Sequence, residues 1–160
     1  MSTQNEVKNN PSMSDMNPLE LFRKKFGMYK KIMDESGEQK AWDTLFQGYP
    51  ERQKKNMGPF IENTTLAEGF TKAIPFYKQI GMEMEVIDIS NKNMDAVIEV
   101  QKVCPAIDLA KEFGFDKPCR LICEMDVEAT KAAFGMKGVI LARQVEGDCV
   151  CIFKYERPMK

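Results

Sequence analysis

The sequence of 160 residues contains no histidine. This absence excludes Ser-His-Asp and Cys-His catalysis, a haem held by a proximal histidine, and every zinc site that uses an imidazole. The sequence also lacks the glycine-rich phosphate-binding motifs G-x-G-x-x-G and G-x-x-x-x-G-K-[ST], so we expect neither haem nor nucleotide as a cofactor. The chemistry must come from cysteine, the carboxylates, lysine, arginine, tyrosine and the hydroxyl side chains.

An excess of charge of either sign is also missing, because 23 Lys and Arg residues face 24 Asp and Glu residues. This balance argues against a nucleic-acid partner and against a polybasic membrane surface. The longest apolar run, Cys149–Phe153, is far shorter than a membrane span, and residues 1–16 have no apolar segment typical of a secretory signal. We therefore expect a cytoplasmic protein with reduced thiols.

The first half of the chain shows helical spacing after a polar arm. Residues 1–16 predict a disordered arm, and residues 17–160 predict one domain. A first helix is expected to begin after Asn17, a second to cover Glu38 to about Phe46, and a third to begin near Thr64 or Thr65. The glycines and prolines between the second and third helices leave the structure of that stretch open.

In the second half the hydrophobic period changes from 3.6 to 2. Alternation over residues 82–100, with a turn at 91–93, predicts an antiparallel hairpin. A short helix after Cys104 and a longer one from about Pro118 to Phe134 follow. Two strands, 135–143 and 149–156, complete the pattern. We predict an α+β fold, with N-terminal helices packed on a four-stranded antiparallel sheet of two hairpins separated by two helices.

All five cysteines lie after residue 103, at positions 104, 119, 123, 149 and 151. Cys119 and Cys123 are expected on one helix face, and Cys149 and Cys151 on one strand face. If the helix packs on that strand, three to five sulfurs meet, which suits zinc or an iron–sulfur cluster. The spacing is not that of a zinc ribbon, and small buried core residues remain the alternative.

Charged residues near the cysteines offer further candidates. Asp126 follows Cys123 by three residues on the same predicted face and is the best-placed carboxylate for a general base. Glu124 lies off that face and is expected to be solvated. Arg143 interrupts an apolar strand and is suited to holding a substrate carboxylate. A two-residue turn would place Arg143 opposite the cysteines, whereas a three-residue turn would pair it with Cys151.

The C-terminal third resembles the L-2-amino-thiazoline-4-carboxylic acid hydrolase-like family. The resemblance rests on residues that match the family pattern in order and spacing: Cys104-Pro105, Gly114, Cys123, Asp126, Leu141, Arg143, Gly147-Asp148, Cys151 and Phe153. Cys119 and Cys149 lie outside this pattern. The same layout is more distantly similar to 4-vinyl-reductase and haem-NO-binding-like ligand domains, some of which hold zinc through C-terminal cysteines and many of which dimerise.

The resemblance implies a hydrolase that adds water to the amidine carbon of a small heterocycle and opens a C–N bond. In that interpretation Arg143 binds the substrate carboxylate and Asp126 orients or deprotonates water. Cys104, Cys123 and Cys151 either hold a zinc ion or supply a thiolate; a thiolate at Cys104 is favoured by its place before a helix. One alternative is a non-catalytic sensor that binds a small molecule or metal, and another is a scaffold subunit. The similarity to the ligand domains also implies a homodimer.

Overall fold

The computed structural model describes residues 17–116 and 118–160, so the predicted arm over 1–16 lies outside the described residues. It confirms the α+β class. The helices are α1 Pro18–Ser36, α2 Glu38–Phe46, α3 Tyr49–Ile61, α4 Leu66–Gln79, α5 Ala106–Glu112 and α6 Cys123–Phe134. The strands are β1 Glu83–Asp88, β2 Met94–Val103, β3 Lys137–Ala142 and β4 Cys151–Pro158.

Side-chain caps begin two of the helices as the sequence predicts. The Asn17 side chain accepts a hydrogen bond from the backbone N–H of Leu19 at 3.0 Å, and the Thr65 hydroxyl accepts one from Glu68 N at 3.2 Å. Each cap satisfies an N–H group that has no partner inside its helix. The stretch left open by the sequence folds as α3, which tolerates one proline in its first turn.

The four strands form one antiparallel sheet in the order β1-β2-β4-β3. The central pair joins β2 to β4, with Glu99 opposite Phe153 and Gln101 opposite Cys151. Because side chains alternate along a strand, Asp95, Val97, Glu99 and Gln101 share the face of β2 that is buried. Three of these four inward side chains are polar, which is unusual for a face covered by helices.

An ion pair inside the molecule fastens the helices to this face. Arg157 Nε lies 2.9 Å from Asp95 Oδ2, and both side chains are largely buried. Both Asp95 oxygens also accept from Leu66 N, each at 3.1 Å, at the first turn of α4. Arg157 Nη2 donates to the carbonyls of Ile61 at 2.7 Å and Thr64 at 2.6 Å. One buried pair therefore joins β2, β4 and the connection between α3 and α4.

Two apolar clusters make up the core. One gathers residues of α1, α2, α5 and the start of α6, and the other gathers residues of α3, α4 and the sheet. Cys123 packs against both clusters. The first turn of α6 therefore stands at the boundary between the two halves of the core.

Two boundaries near the cysteines differ from the prediction. The helix predicted from Pro118 begins only at Cys123, because a 3-10 turn at Pro118–Arg120 precedes it and the chain turns to bury both Leu121 and Ile122. The last strand begins at Cys151, so Cys149 lies outside it and is exposed. Among the described residues, no helix combines the length and apolar character needed to cross a membrane.

Replacing Asp95 by alanine should lower the free energy of unfolding by about 3–5 kcal/mol, because it leaves the Arg157 guanidinium buried without its counter-charge. Chemical denaturation of the purified chain measures this loss. Glu85→Ala is the matched control, because its ion pair with Lys102 lies on the surface and should contribute little. Equal denaturation midpoints for the two variants would contradict the role given to Asp95.

Candidate functional site

Four cysteine side chains from three separate segments line one small hollow of about 10 Å³. Cys104 comes from the end of the first hairpin, Cys119 and Cys123 from the segment that leads into α6, and Cys151 from the start of β4. We call this cluster the thiol pocket. The structure thus brings together the three cysteines that the sequence pattern singles out and adds Cys119 to them.

Cys104 does not have the lowered pKa that its place before a helix predicts. The backbone N–H groups of Ala106 and Ile107 at the start of α5 act to lower the pKa of the Cys104 thiol. Burial outweighs this effect and raises the pKa of the Cys104 thiol. Cys104 is therefore a half-buried thiol whose pKa is shifted away from the thiolate form.

Cys119 takes the role expected of Cys104. A hydrogen bond from Cys123, followed by contact with the Arg143 guanidinium, lowers the pKa of Cys119 to about 7 although burial opposes the shift. The pKa of Cys123 moves in the opposite direction, because it donates to Cys119 and is itself buried. The two sulfurs thus form a thiol–thiolate pair near neutral pH. The four-residue spacing signalled this contact, but Cys119 has no counterpart in the family pattern.

Arg143 contacts Cys119, although neither of the two turn lengths considered for the last hairpin occurs. Residues 143–150, with a 3-10 turn at Gln144–Glu146, connect β3 to β4 instead. Arg143 stands just after β3, where the register with β4 shifts between Ile140 and Ala142. Its guanidinium lies 3.0 Å from the carboxylate of Glu124 and also contacts Cys119. The expectation that Glu124 is solvated is wrong, because this ion pair holds it half-buried beside the pocket.

An open cleft of about 460 Å³ adjoins the thiol pocket. Cys119 and Val145 line both spaces, so Cys119 lies where the thiol pocket and the cleft adjoin. Both arginines of the cleft, Arg120 and Arg143, are already paired with carboxylates. A ligand carboxylate would therefore have to compete with Glu124 for Arg143.

Asp126 lies one helical turn beyond Cys123 and lines neither the thiol pocket nor the cleft. Its Oδ1 accepts a hydrogen bond from Tyr49 OH at 3.0 Å, and the Lys25 ammonium attracts it. Burial raises the pKa of Asp126, while Tyr49 and Lys25 oppose the shift. Lys25 has its own pKa lowered to about 8, chiefly by burial.

Glu99 of β2 is a second buried carboxyl, and the charge of Asp126 acts on it. It is 4% exposed, and its Oε2 is the buried side-chain oxygen that has no hydrogen-bond partner among the described residues. Burial and, after it, the charge of Asp126 raise the pKa of Glu99 to about 8. Lys25, Tyr49, Glu99 and Asp126 form what we call the acid cluster. Sequence reasoning missed Glu99, because a lone glutamate in an alternating strand is typical of a solvent-facing position.

The described part of the chain contains no preformed metal site. Within 17–116 and 118–160, no three cysteine or carboxylate side chains are placed to hold one together. The thiol pocket does supply the soft donors that zinc prefers. Zinc binding by Cys104, Cys123 and Cys151 stays a prediction.

Comparisons with known proteins bear on the fold. No protein-family model and no curated protein sequence matches this chain. A solved structure, the phenol-responsive sensory domain of the transcription activator PoxR with phenol, is similar with a TM-score of 0.55 and 11% identity. The match covers 86% of this chain and 74% of that one. At this identity the likeness shows a shared fold, and the resemblance to the hydrolase-like family stays a prediction.

The rate at which iodoacetamide alkylates Cys119 should rise with a midpoint near pH 7, because the thiolate is the reacting form. Peptide mapping by mass spectrometry separates Cys119 from the other cysteines. Cys123→Ala should move the midpoint upward, because it removes the hydrogen-bond donor, whereas Cys149→Ser should leave it unchanged. A Cys119 midpoint at the ordinary thiol value of 9.0 would contradict the pairing.

Glu99→Gln should flatten the dependence of unfolding free energy on pH. Between 4.5 and about 8 the unfolded chain ionises Glu99 while the folded chain keeps it protonated, so stability falls as pH rises. The loss amounts to about 1.4 kcal/mol for each pKa unit between the states. Asp126 adds a slope of the same sign, and Lys25 reverses the trend above about 8. Denaturation at several pH values measures the slope, with exposed Glu83→Gln as the control. Equal slopes in both variants would contradict the burial of Glu99.

Proposed function

We propose that this chain is a ligand-binding domain of the sensory type. In this proposal the thiol pocket is the part of the site that selects the ligand by its chemistry. The observation that carries this proposal is the convergence of Cys104, Cys119, Cys123 and Cys151 beside an arginine at the floor of a cleft. Cysteines that serve only as small apolar core residues need neither a lowered thiol pKa nor contact with a guanidinium group. The likeness in fold to a sensory domain is compatible with this role.

The binding chemistry proposed for the pocket is thiophilic. A soft cation such as zinc prefers thiolate donors, and Cys119 is ionised to a large extent at neutral pH. Deprotonation of further thiols accompanies metal binding, so affinity should increase with pH. Cys104, Cys123 and Cys151 are the candidate ligands named from the sequence, and Cys119 joins them in the pocket.

A hydrolase is the second candidate, and one observation favours it. Cys119 carries a lowered pKa and borders an open cleft that is large enough for a small heterocyclic acid. In this interpretation Cys119 supplies the nucleophilic thiolate and Arg143 binds the substrate carboxylate in exchange for Glu124. Asp126 lines neither the thiol pocket nor the cleft, so the water-orienting role that the resemblance gives it is not part of this proposal. The thiol version replaces Cys104 by Cys119 as the attacking group.

One set of variants separates the two functions. The purified chain, Cys119→Ser and Cys123→Ser are titrated with zinc against a chromophoric chelator and incubated with L-2-amino-thiazoline-4-carboxylate. Calorimetry detects binding of the acid, and mass spectrometry detects ring opening. The exposed Cys149→Ser is the matched control, because it removes one thiol without touching the pocket.

We expect the unmodified chain to bind zinc or the thiazoline acid. The affinity should fall at least tenfold in Cys119→Ser and Cys123→Ser and stay unchanged in Cys149→Ser. Ring opening that depends on Cys119 would favour the hydrolase instead. Binding that is equal in all variants, or absent from the unmodified chain for both probes, would show the pocket to be structural and contradict the proposal.

A further inference from the structure

Cys119 differs from the other cysteines in where it lies. Cys104, Cys123 and Cys151 line the thiol pocket and not the cleft, whereas Cys119 lines both spaces. Cys149 is exposed but does not line the pocket. Of the four pocket thiols, Cys119 is therefore the one that a molecule in the cleft can contact. Because its side chain is only 8% exposed, this position favours a very small reactant.

Cys123 is the thiol placed to react with Cys119. The two residues lie four apart on the segment that runs from the 3-10 turn Pro118–Arg120 into the first turn of α6, and both line the same hollow of about 10 Å³. A hollow of this size holds no more than about one water molecule, so the sulfurs that line it lie near one another. The Cys123 thiol also donates a hydrogen bond to the Cys119 sulfur.

The other two thiols of the pocket are held by other elements. Cys151 begins β4, and its sulfur accepts a hydrogen bond from Gln144 N at 3.3 Å. Cys104 follows β2 and lies at the start of α5. These positions tie Cys104 and Cys151 to the sheet and to α5, whereas Cys119 and Cys123 share one short segment. Cys123 is therefore the first partner available to Cys119.

Arg143 helps to keep Cys119 in the form that reacts with oxidants. Its guanidinium contacts the Cys119 sulfur and acts with the Cys123 hydrogen bond to lower the pKa of Cys119 to about 7. The thiolate is the nucleophilic form of cysteine and the form most readily oxidised. The pKa of Cys123 is raised, so this thiol keeps its proton while Cys119 loses its own. The pair thus combines an attacking thiolate with a neighbouring thiol.

We propose that Cys119 and Cys123 form an oxidative modification site, at which hydrogen peroxide from the cleft converts the two thiols into a disulfide. The Cys119 sulfur attacks one peroxide oxygen. An S–O bond forms, the O–O bond breaks, and the departing oxygen takes a proton from solvent and leaves as water. The Cys123 sulfur then attacks the sulfur of the Cys119 sulfenic acid. An S–S bond forms, the S–OH bond breaks, and the hydroxide leaves as water with the Cys123 proton. The peroxide gains the two electrons that the two sulfurs lose.

This reaction goes beyond the proposed ligand binding, because it changes the pocket covalently. The disulfide removes two of the four pocket thiols and the negative charge that Arg143 contacts. Zinc and thiazoline binding, measured on the fully reduced chain, test the proposed function separately. Failure of either idea therefore leaves the other standing.

Hydrogen peroxide is the probe, added at pH 7 to the fully reduced, full-length chain without zinc. Samples alkylated with iodoacetamide at intervals are digested with trypsin and mapped by non-reducing mass spectrometry. Trypsin cleaves after Arg120, so the disulfide joins two separate peptides. We expect the Cys119–Cys123 disulfide as the first product, at least tenfold faster than the oxidation of Cys149, and reversible with dithiothreitol. The exposed Cys149 is the reference thiol within the same molecule.

Cys123→Ser separates the two steps of the reaction. This variant should stop at the Cys119 sulfenic acid, which dimedone traps, whereas Cys149→Ser should form the disulfide at the rate of the unmodified chain. The time course of the unmodified chain does not depend on how the variants fold. A first disulfide between any other pair of cysteines, dimedone labelling of Cys149 ahead of Cys119, or no disulfide with peroxide would each overturn the inference.

Discussion

The buried pair of Asp95 and Arg157 is the interaction on which the arrangement of the helices over the sheet depends. It gathers the first backbone donor of α4, two carbonyls near the end of α3 and the two central strands into one network. Two opposite charges can stay inside a protein when hydrogen bonds also satisfy their other donors and acceptors, as they do in this network. The network sets how α3 and α4 lie on β2.

Much of the architecture was readable from local patterns. The caps at Asn17 and Thr65, the change of period near residue 82 and the two hairpins predicted an α+β fold, which the structure confirms. Helix α3 was not resolved from the sequence, because its prolines and glycines are typical loop signals. Proline at the start of a helix costs nothing, since its missing N–H has no partner there in any case.

The candidate site was readable in part. Selecting Cys104, Cys123 and Cys151 required only that the last helix pack near the last strand, and the structure brings the three sulfurs to one hollow. Which thiol ionises depends on the balance of burial, hydrogen bonds and a nearby guanidinium, none of which spacing reveals. The buried face of β2 could not be predicted either. The alternation of its side chains shows that the two faces of the strand differ, but not which face the helices cover.

The first turn of α6 serves three environments within four residues. Cys123 faces the thiol pocket, Glu124 pairs with Arg143 beside the cleft, and Asp126 accepts a hydrogen bond from Tyr49 in the acid cluster. All three side chains are carried by the same turn of backbone. A shift of this helical turn as a whole therefore moves them together. A ligand at the thiol pocket that displaced this turn would therefore also move the carboxyl group of Asp126 relative to the hydroxyl of Tyr49.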